Sequence, residues 1–157
     1  MTTLTLVRHA KSDWGSAGLD DHDRPLNDRG QRDAPVMAER LVASGLAVDR
    51  VLASTALRAR TTAAAFGAAL GLEPELRDEL YGAGARVLLA AAAGSGAASV
   101  LVVAHDPGMT VLADRLSGGG IGEMPTCAVA VFRWETDDWD VAAATDPGAW
   151  SFDSPRG

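Results

Sequence analysis

The chain has 157 residues, of which 47% are apolar, so it can bury the core of one domain over 1–157 but hardly of two. Its net charge of −7 argues against a nucleic-acid-binding protein, because such proteins normally present a basic face. The single cysteine, Cys127, excludes an internal disulfide and a metal site built from several cysteines. No leader-like pattern and no bilayer-length apolar run is visible, which predicts a soluble, cytoplasmic protein without a membrane partner.

Strand-like and helix-like segments alternate along the chain. Apolar and β-branched runs predict strands over 4–7, 50–53, 73–77, 99–104 and 128–134. Helical periodicity and stop signals predict helices over 29–43, 56–70, 86–93 and 111–116. This alternation predicts an α/β fold of three layers (α/β/α), in which a mostly parallel central sheet is flanked by helices on both faces.

The first helix follows a long loop. Residues 13–27 are rich in Gly, Asp and Pro and are predicted as that loop. Asn27 or Asp28 is expected to cap the helix. Pro35 is expected in its first turn or at a kink, because proline removes a helical hydrogen bond.

The C-terminal part is predicted to break the parallel pattern. Segment 139–144 is expected to pair with 128–134 as a hairpin through the turn 135–138, which adds an antiparallel strand to the sheet. Residues from Asp146 onward are predicted to fray. The four tryptophans are expected to serve mainly in core packing, and an exposed contact among them is the alternative.

Two of the three histidines directly follow predicted strands. His9 follows the first strand and His105 the fourth. Because the carboxyl ends of parallel strands meet at the edge of the sheet where ligands bind, both are expected in one site. Arg8 adds a cation there, and Pro107 and Gly108 open a helix whose free N–H groups favour an anion.

A third strand end contributes Arg58, in the first turn of the second predicted helix. A cation at this position opposes the helix dipole, so it needs an anionic partner. Arg8 and Arg58 are therefore predicted to clamp one phosphoryl group together.

The stretches at these three strand ends resemble the three signatures of the histidine phosphatase superfamily, the phosphoglycerate mutase-like group. They are 7–10 (VRHA), 54–63 (STALRARTTA) and 104–108 (AHDPG). Their order and spacing match the family over nearly the whole chain. The short length and the stretches 8–14, 24–26 and 79–81 resemble the SixA-like phosphohistidine phosphatase branch within it.

The resemblance implies a phosphatase without metal or cofactor, in which His9 is the nucleophile and forms a phosphohistidine intermediate. It also implies that Arg8, Arg58 and His105 bind the phosphoryl oxygens. The chemistry is consistent with these roles, since neighbouring guanidinium groups disfavour a protonated His9. The same charges neutralise the equatorial oxygens in the transition state of phosphoryl transfer.

The general acid stays open among three residues. Glu79 matches the position of the acid in larger relatives, and Asp78 and His105 are the alternatives. Ser12 is expected to bind substrate, whereas Lys11 is as consistent with a surface charge as with a phosphate ligand.

Three positions depart from the family pattern. Ala10 stands where many relatives have Gly, Thr55 where Pro is common, and Asp106 where Asn is common. A carboxylate at Asp106 is expected either to hold the imidazole of His105 protonated or to weaken its grip on an anion. His22, which has no second histidine nearby in the sequence, is interpreted as part of a solvated loop rather than as a metal ligand.

The length of the chain bears on the substrate. Only 81–98 separates the third and fourth strands, which leaves little material for a lid. An open pocket suits phosphohistidine displayed on a protein, which is the function the sequence favours. A phosphomonoesterase for small molecules and a non-catalytic phosphate-binding domain are the alternatives.

Overall fold

The structure, a computed structural model, describes residues 1–15 and 17–156. Its strands are β1 (Thr2–Arg8), β2 (Arg50–Ser54), β3 (Glu75–Arg77), β4 (Ser99–Ala104), β5 (Val129–Trp134) and β6 (Ala149–Asp153). Its helices are α1 (Asp28–Ala43), α2 (Leu57–Leu70), α3 (Ala85–Ala93), α4 (Gly108–Leu116) and α5 (Trp139–Ala144). Two short 3-10 turns lie at Asp21–Asp23 and Asp78–Leu80.

The six strands form one sheet in the order β3-β2-β4-β1-β5-β6. The first four strands in this order run parallel, whereas β5 pairs antiparallel with β1, and β6 antiparallel with β5. This arrangement confirms the predicted α/β fold, with a mostly parallel sheet and antiparallel strands at the C-terminus.

Helices cover both faces of the sheet, and each face has its own apolar cluster. Leu4 and Leu6 of β1 point into the cluster under α3, α4 and α5. Val7 points to the opposite face, into the cluster under α1 and α2, as the two-residue period of a strand requires. β1 is therefore buried on both sides, which explains its continuous apolar run.

The start of α1 is fixed against the segment that follows β1. The side chain of Asn27 accepts a hydrogen bond from the Gly30 backbone N–H, which confirms it as the cap. A Cβ at Gly30 would overlap the Lys11 carbonyl oxygen, so only glycine allows this close approach. Pro35 lies well inside α1, beyond the first turn where it was expected.

The predicted hairpin is wrong in its second strand. Residues 139–144 form α5, capped by the Asp138 carboxylate, which accepts a hydrogen bond from the Asp140 backbone N–H. The strand that pairs with β5 is β6, in the region predicted to fray. Arg40 of α1 ties this end down by donating to the Ser154 carbonyl at 3.1 Å.

Core packing explains only some of the tryptophans. Trp134 is buried and Trp139 is half-buried, but Trp14 and Trp150 are exposed.

Among the helices of the described residues, none has the length and apolar character to cross a membrane.

Candidate active site

The carboxyl ends of three adjacent parallel strands bring the predicted site residues together. Arg8 of β1 stands in register with Ala104 of β4, so His9 and His105 leave neighbouring strands at the same edge. Their imidazole centroids are 5.1 Å apart. One cavity of about 250 Å³ is lined by these residues and by others from the loops around them. The lining residues are Arg8, His9, Lys11, Ser12, Trp14, Arg24, Arg58, His105, Asp106 and Thr126.

His9 is held as a neutral imidazole with one free nitrogen. Its Nδ1 lies 2.8 Å from the Ala10 carbonyl oxygen, which can only accept, so Nδ1 carries the proton and Nε2 carries a lone pair. Burial, together with the neighbouring charges of Arg58 and Arg8, lowers the pKa of His9 to about 3. His9 is therefore an unprotonated base at neutral pH.

His105 is also neutral, and β2 fixes its orientation. Its Nε2 lies 2.7 Å from the hydroxyl oxygen of Ser54, the last residue of β2. Burial and then the charge of Arg58 lower the pKa of His105 to about 4. Its Nδ1 is buried and has no hydrogen-bond partner among the described residues.

Arg8 contacts the loop before β5 and the turn before α4. One of its terminal nitrogens donates to the Met124 carbonyl at 2.9 Å and lies 3.5 Å from the Asp106 carboxylate. Asp106 in turn accepts hydrogen bonds from the backbone and hydroxyl of Thr110. Of the two effects expected from Asp106, a protonated His105 is not found, because Asp106 is engaged with Arg8 and Thr110 and the pKa of His105 is lowered.

The two terminal nitrogens of the Arg58 guanidinium are already hydrogen-bonded to the protein. Its two terminal nitrogens donate to the backbone carbonyl and the carboxylate of Asp21, at 2.6 and 2.9 Å. The predicted clamp of Arg8 and Arg58 on a phosphoryl group is therefore only partly available, because both terminal nitrogens of Arg58 bind the 3-10 turn at Asp21–Asp23. Its Nε remains buried without a partner in the described part of the chain.

Asp21 links that turn to several elements. Its carboxylate accepts hydrogen bonds from Tyr81 at 2.7 Å and from Arg24 at 3.1 Å, as well as from Arg58. The Tyr81 hydroxyl and the two arginines together hold the pKa of this carboxyl well below its usual range. The Tyr81 ring stands edge-on to His105, with centroids 5.6 Å apart.

Glu79 lies outside this arrangement. Its exposed carboxylate is 3.4 Å from Arg77, and it does not line the cavity that contains His9. Asp78, the alternative acid beside it, is exposed and is also absent from the lining. The structure therefore does not bring either carboxylate together with the histidines.

Sequence and structure comparisons give the family. The sequence profile of the histidine phosphatase superfamily (branch 1) matches residues 4–83. An uncharacterized protein of Mycobacterium tuberculosis is 37% identical over 139 residues, covering 81% of this chain and 86% of that protein. The chain belongs to the histidine phosphatase superfamily. It is therefore a hydrolase that removes phosphoryl groups.

Solved structures assign this phosphatase to the SixA-like branch. The putative phosphohistidine phosphatase SixA of Nakamurella multipartita superposes with a TM-score of 0.85 at 33% identity, covering 99% of this chain and 97% of that one. The putative phosphohistidine phosphatase SixA of Agrobacterium tumefaciens gives 0.82 at 28% identity, covering 98% of each chain. A protein histidine phosphatase SixA complexed with tungstate gives 0.77 at 28% identity, covering 99% and 98%.

Four residues that line the cavity of this histidine phosphatase also hold a buried side-chain nitrogen without a partner among the described residues. In the described residues, these buried atoms are Nε of Arg8, Arg24 and Arg58 and Nδ1 of His105. All four residues line the cavity. Buried polar groups are normally hydrogen-bonded, so the Nε–H groups of the three arginines leave hydrogen-bonding capacity unused at this site.

Several contacts of the phosphatase were not predicted. Asp21 lies in the segment 13–27 that was predicted as a loop, and its contacts with Arg24 and Arg58 received no role in the site. Ser54 and Thr62 belong to a quoted motif but received no role. Thr62 accepts a hydrogen bond from the Ala10 backbone N–H at 3.0 Å and donates to the Arg58 carbonyl. The spacing of small hydroxyl residues after β2 was the available signal.

One further residue differs from its interpretation, and the single cysteine receives no catalytic role. His22 is not simply solvated, because its Nε2 lies 2.8 Å from the Thr55 hydroxyl and its ring meets Tyr81 edge-on. The threonine at this departure from the family pattern therefore makes a contact that proline could not make. The Cys127 thiol is buried, which raises its pKa to about 12 and rules it out as a nucleophile at neutral pH.

Proposed function

We propose that the chain is a phosphohistidine phosphatase in which His9 carries the phosphoryl group as a covalent intermediate. The observation that carries the proposal is a neutral His9 with a free Nε2 in a cavity that Arg8, Arg58 and His105 also line. A nucleophile with a lone pair and a shell of donors for oxyanions are the two components that phosphoryl transfer needs.

In the first step, His9 Nε2 attacks phosphorus and a new P–N bond forms. The bond between phosphorus and the leaving imidazole of the substrate breaks, and the leaving nitrogen takes up a proton from solvent. Arg8, Arg58 and His105 donate to the equatorial oxygens, where negative charge is concentrated in the transition state. In the second step, water attacks the phosphorus on His9, which releases inorganic phosphate and restores the neutral imidazole.

The absence of a carboxylic acid from the described lining of the cavity, apart from Asp106, favours a P–N over a P–O substrate bond. Imidazole leaves more readily than an alkoxide, so cleavage of phosphohistidine asks less of a general acid. Asp106 is committed to Arg8 and Thr110. Glu79 and Asp78 were candidate acids, and neither lines the cavity.

The size of the cavity supports the same substrate class. At about 250 Å³, it is smaller than the clefts of roughly 300–1,000 Å³ that enclose most ligands. It has room for a phosphoryl group and the ring that carries it, and the rest of a protein substrate can remain outside. One of the SixA relatives is named a protein histidine phosphatase.

Trapping of the intermediate tests the nucleophile. We expect radiolabelled substrate, quenched during turnover, to leave acid-labile label on His9 that disappears as phosphate is released. His9→Ala is expected to abolish both label and turnover while leaving the fold intact, because the free Nε2 is lost. His22→Gln removes a histidine outside the cavity and serves as the matched control that keeps the label. Turnover that survives in His9→Ala would show that the nucleophile is elsewhere.

Comparison of substrates tests the leaving group. We expect a higher kcat/KM on a phosphohistidine protein than on sugar phosphates and nucleotides. A faster rate on the small phosphoesters would replace the phosphohistidine substrate by a small-molecule one within the same superfamily. Tight phosphate binding without any turnover would indicate a binding domain.

A further inference from the structure

Trp14 is unusually exposed for a residue at a buried site. Its relative exposure is 74%, higher than that of any other large apolar residue in the described chain. It nevertheless lines the cavity that contains His9 and His105. An exposed indole beside a polar cavity is typical of a binding surface, because water solvates its faces poorly.

A short antiparallel pairing places Trp14 on the rim. Ser12 and Leu26 form an isolated β-bridge, and the Asp13 backbone N–H donates to the Pro25 carbonyl at 2.8 Å. Continuing this register by one residue sets Trp14 opposite Arg24. Both side chains therefore leave the loop at the same edge of the phosphate cavity.

Arg24 supports one face of the indole. Its guanidinium carbon lies 3.6 Å from the centroid of the Trp14 ring, within the range of a cation–π contact. The guanidinium is itself fixed, because it donates to the Ser12 hydroxyl and to the Asp21 carboxylate and is only 11% exposed. The indole thus rests on a side chain that is anchored within the site, and most of its surface is left uncovered.

We propose that Trp14 is a specificity-determining residue that stacks on the planar ring bearing the phosphoryl group, the imidazole of a phosphohistidine. The proposal rests on the proposed function of this site. With the phosphoryl group among Arg8, Arg58 and His105, the ring that carries it extends toward the rim, where Trp14 lies. A cation on one face of the indole disfavours a second cation on the other, so the open face suits a neutral ring.

The test compares two substrates that differ in the ring alone. N-phosphorylimidazole and phosphoramidate both contain a P–N bond, but only the first has a planar leaving group. We expect Trp14→Ala to lower the ratio of their kcat/KM values about three- to ten-fold, the contribution of one aromatic pair. Trp14→Phe keeps a ring and is expected to retain most of the ratio. Trp150→Ala, which removes the exposed tryptophan of β6, is the matched control and should leave the ratio unchanged.

Taking a ratio of two substrates separates recognition of the ring from damage to the site. If Trp14→Ala lowers both rates equally, the residue has a structural role and the proposal is overturned. An unchanged ratio overturns it as well. If the wild type hydrolyses neither substrate, the proposed function fails before any variant is compared.

A binding measurement keeps the stacking testable without turnover. In His9→Ala, N-phosphorylimidazole is expected to quench indole fluorescence, and the quenching should be lost when Trp14→Phe is added. Phosphoramidate should cause little quenching in either protein. Equal quenching with and without Trp14 would contradict the proposal independently of catalysis.

Discussion

At the scale of single residues, the site leaves hydrogen-bonding capacity unused. A buried donor without a partner costs about 1–3 kcal/mol, and Arg8, Arg24 and Arg58 each hold such an Nε–H group. Neighbouring contacts fix these side chains, so the unused N–H groups cannot turn away to find other partners. The proposed function accounts for this cost, because an oxyanion bound at the site would supply acceptors for these N–H groups.

Asp21 is the residue on which the orientation of Arg58 depends. We expect Asp21→Asn to lower kcat/KM roughly ten-fold, a modest loss for a charged hydrogen bond because the carboxylate is half exposed. The neutral amide replaces one acceptor by a donor and holds the Arg58 guanidinium less firmly. Steady-state kinetics on a phosphohistidine substrate measure the loss.

Asp20→Asn is the matched control for this prediction, since it removes an adjacent acidic residue that does not bond Arg58. Equal rates for Asp21→Asn and the wild type would show that Arg58 keeps its orientation without the carboxylate. Equal losses in both variants would point to the charge of the loop rather than to the contact.

At the scale of elements, the strand ends were the predictable part. Continuous apolar runs give β1 and β4, and the rule that parallel strands present ligands at their carboxyl ends brings His9 and His105 together. The sequence predicted the structure less well where the same residue types favour two different local structures. Asp138 begins α5 as a cap but was interpreted as part of a hairpin turn, because caps and turns use the same residue types.

The loop contacts of the site could not have been predicted in the same way. Asp21 contacts Arg58, which is 37 positions away in the sequence, and Tyr81, which is 60 positions away. No periodic pattern links residues so far apart. Trp14 was expected to serve in core packing, but the pairing of Ser12 with Leu26 turns it outward. The charged groups of the cavity were thus predictable from the strands, whereas the contacts that orient them depend on tertiary structure.

Thr62 couples α2 to the segment that carries His9, the proposed nucleophile. Thr62→Val keeps the shape of the side chain but leaves the buried Ala10 N–H without an acceptor, which should lower the free energy of unfolding by about 1–3 kcal/mol. We also expect kcat to fall, because Ala10 holds the proton-bearing nitrogen of His9 through its carbonyl.

Thr61→Val on the same helix is the matched control, because the Thr61 hydroxyl bonds only the Leu57 carbonyl at the surface. Urea unfolding and steady-state kinetics on both variants measure the two effects. Similar stabilities for the two variants would mean that Ala10 finds another acceptor when Thr62 is lost.

At the scale of the whole molecule, a chain with a net charge of −7 keeps a locally positive cavity. Two histidines are held buried and neutral in this cavity, which lowers the stability of the fold at acidic pH. The pKa values of His9 and His105 are lowered from 6.5 to about 3 and about 4, so the unfolded chain binds these protons more readily than the folded one. Their contribution to stability is present above pH 6.5 and is lost as the pH falls toward 4.

This difference predicts how stability depends on pH. As the pH is lowered from 6.5 to 4, the free energy of unfolding should fall by about 1.4 kcal/mol per pH unit for each of the two histidines. His105→Gln removes one of the two groups. The histidines should then contribute about half as much to the change of unfolding free energy with pH as they do in the wild type. Urea unfolding across this range measures both slopes. Identical slopes for the two proteins would mean that His105 keeps its ordinary proton affinity in the folded state, so that burial does not lower its pKa.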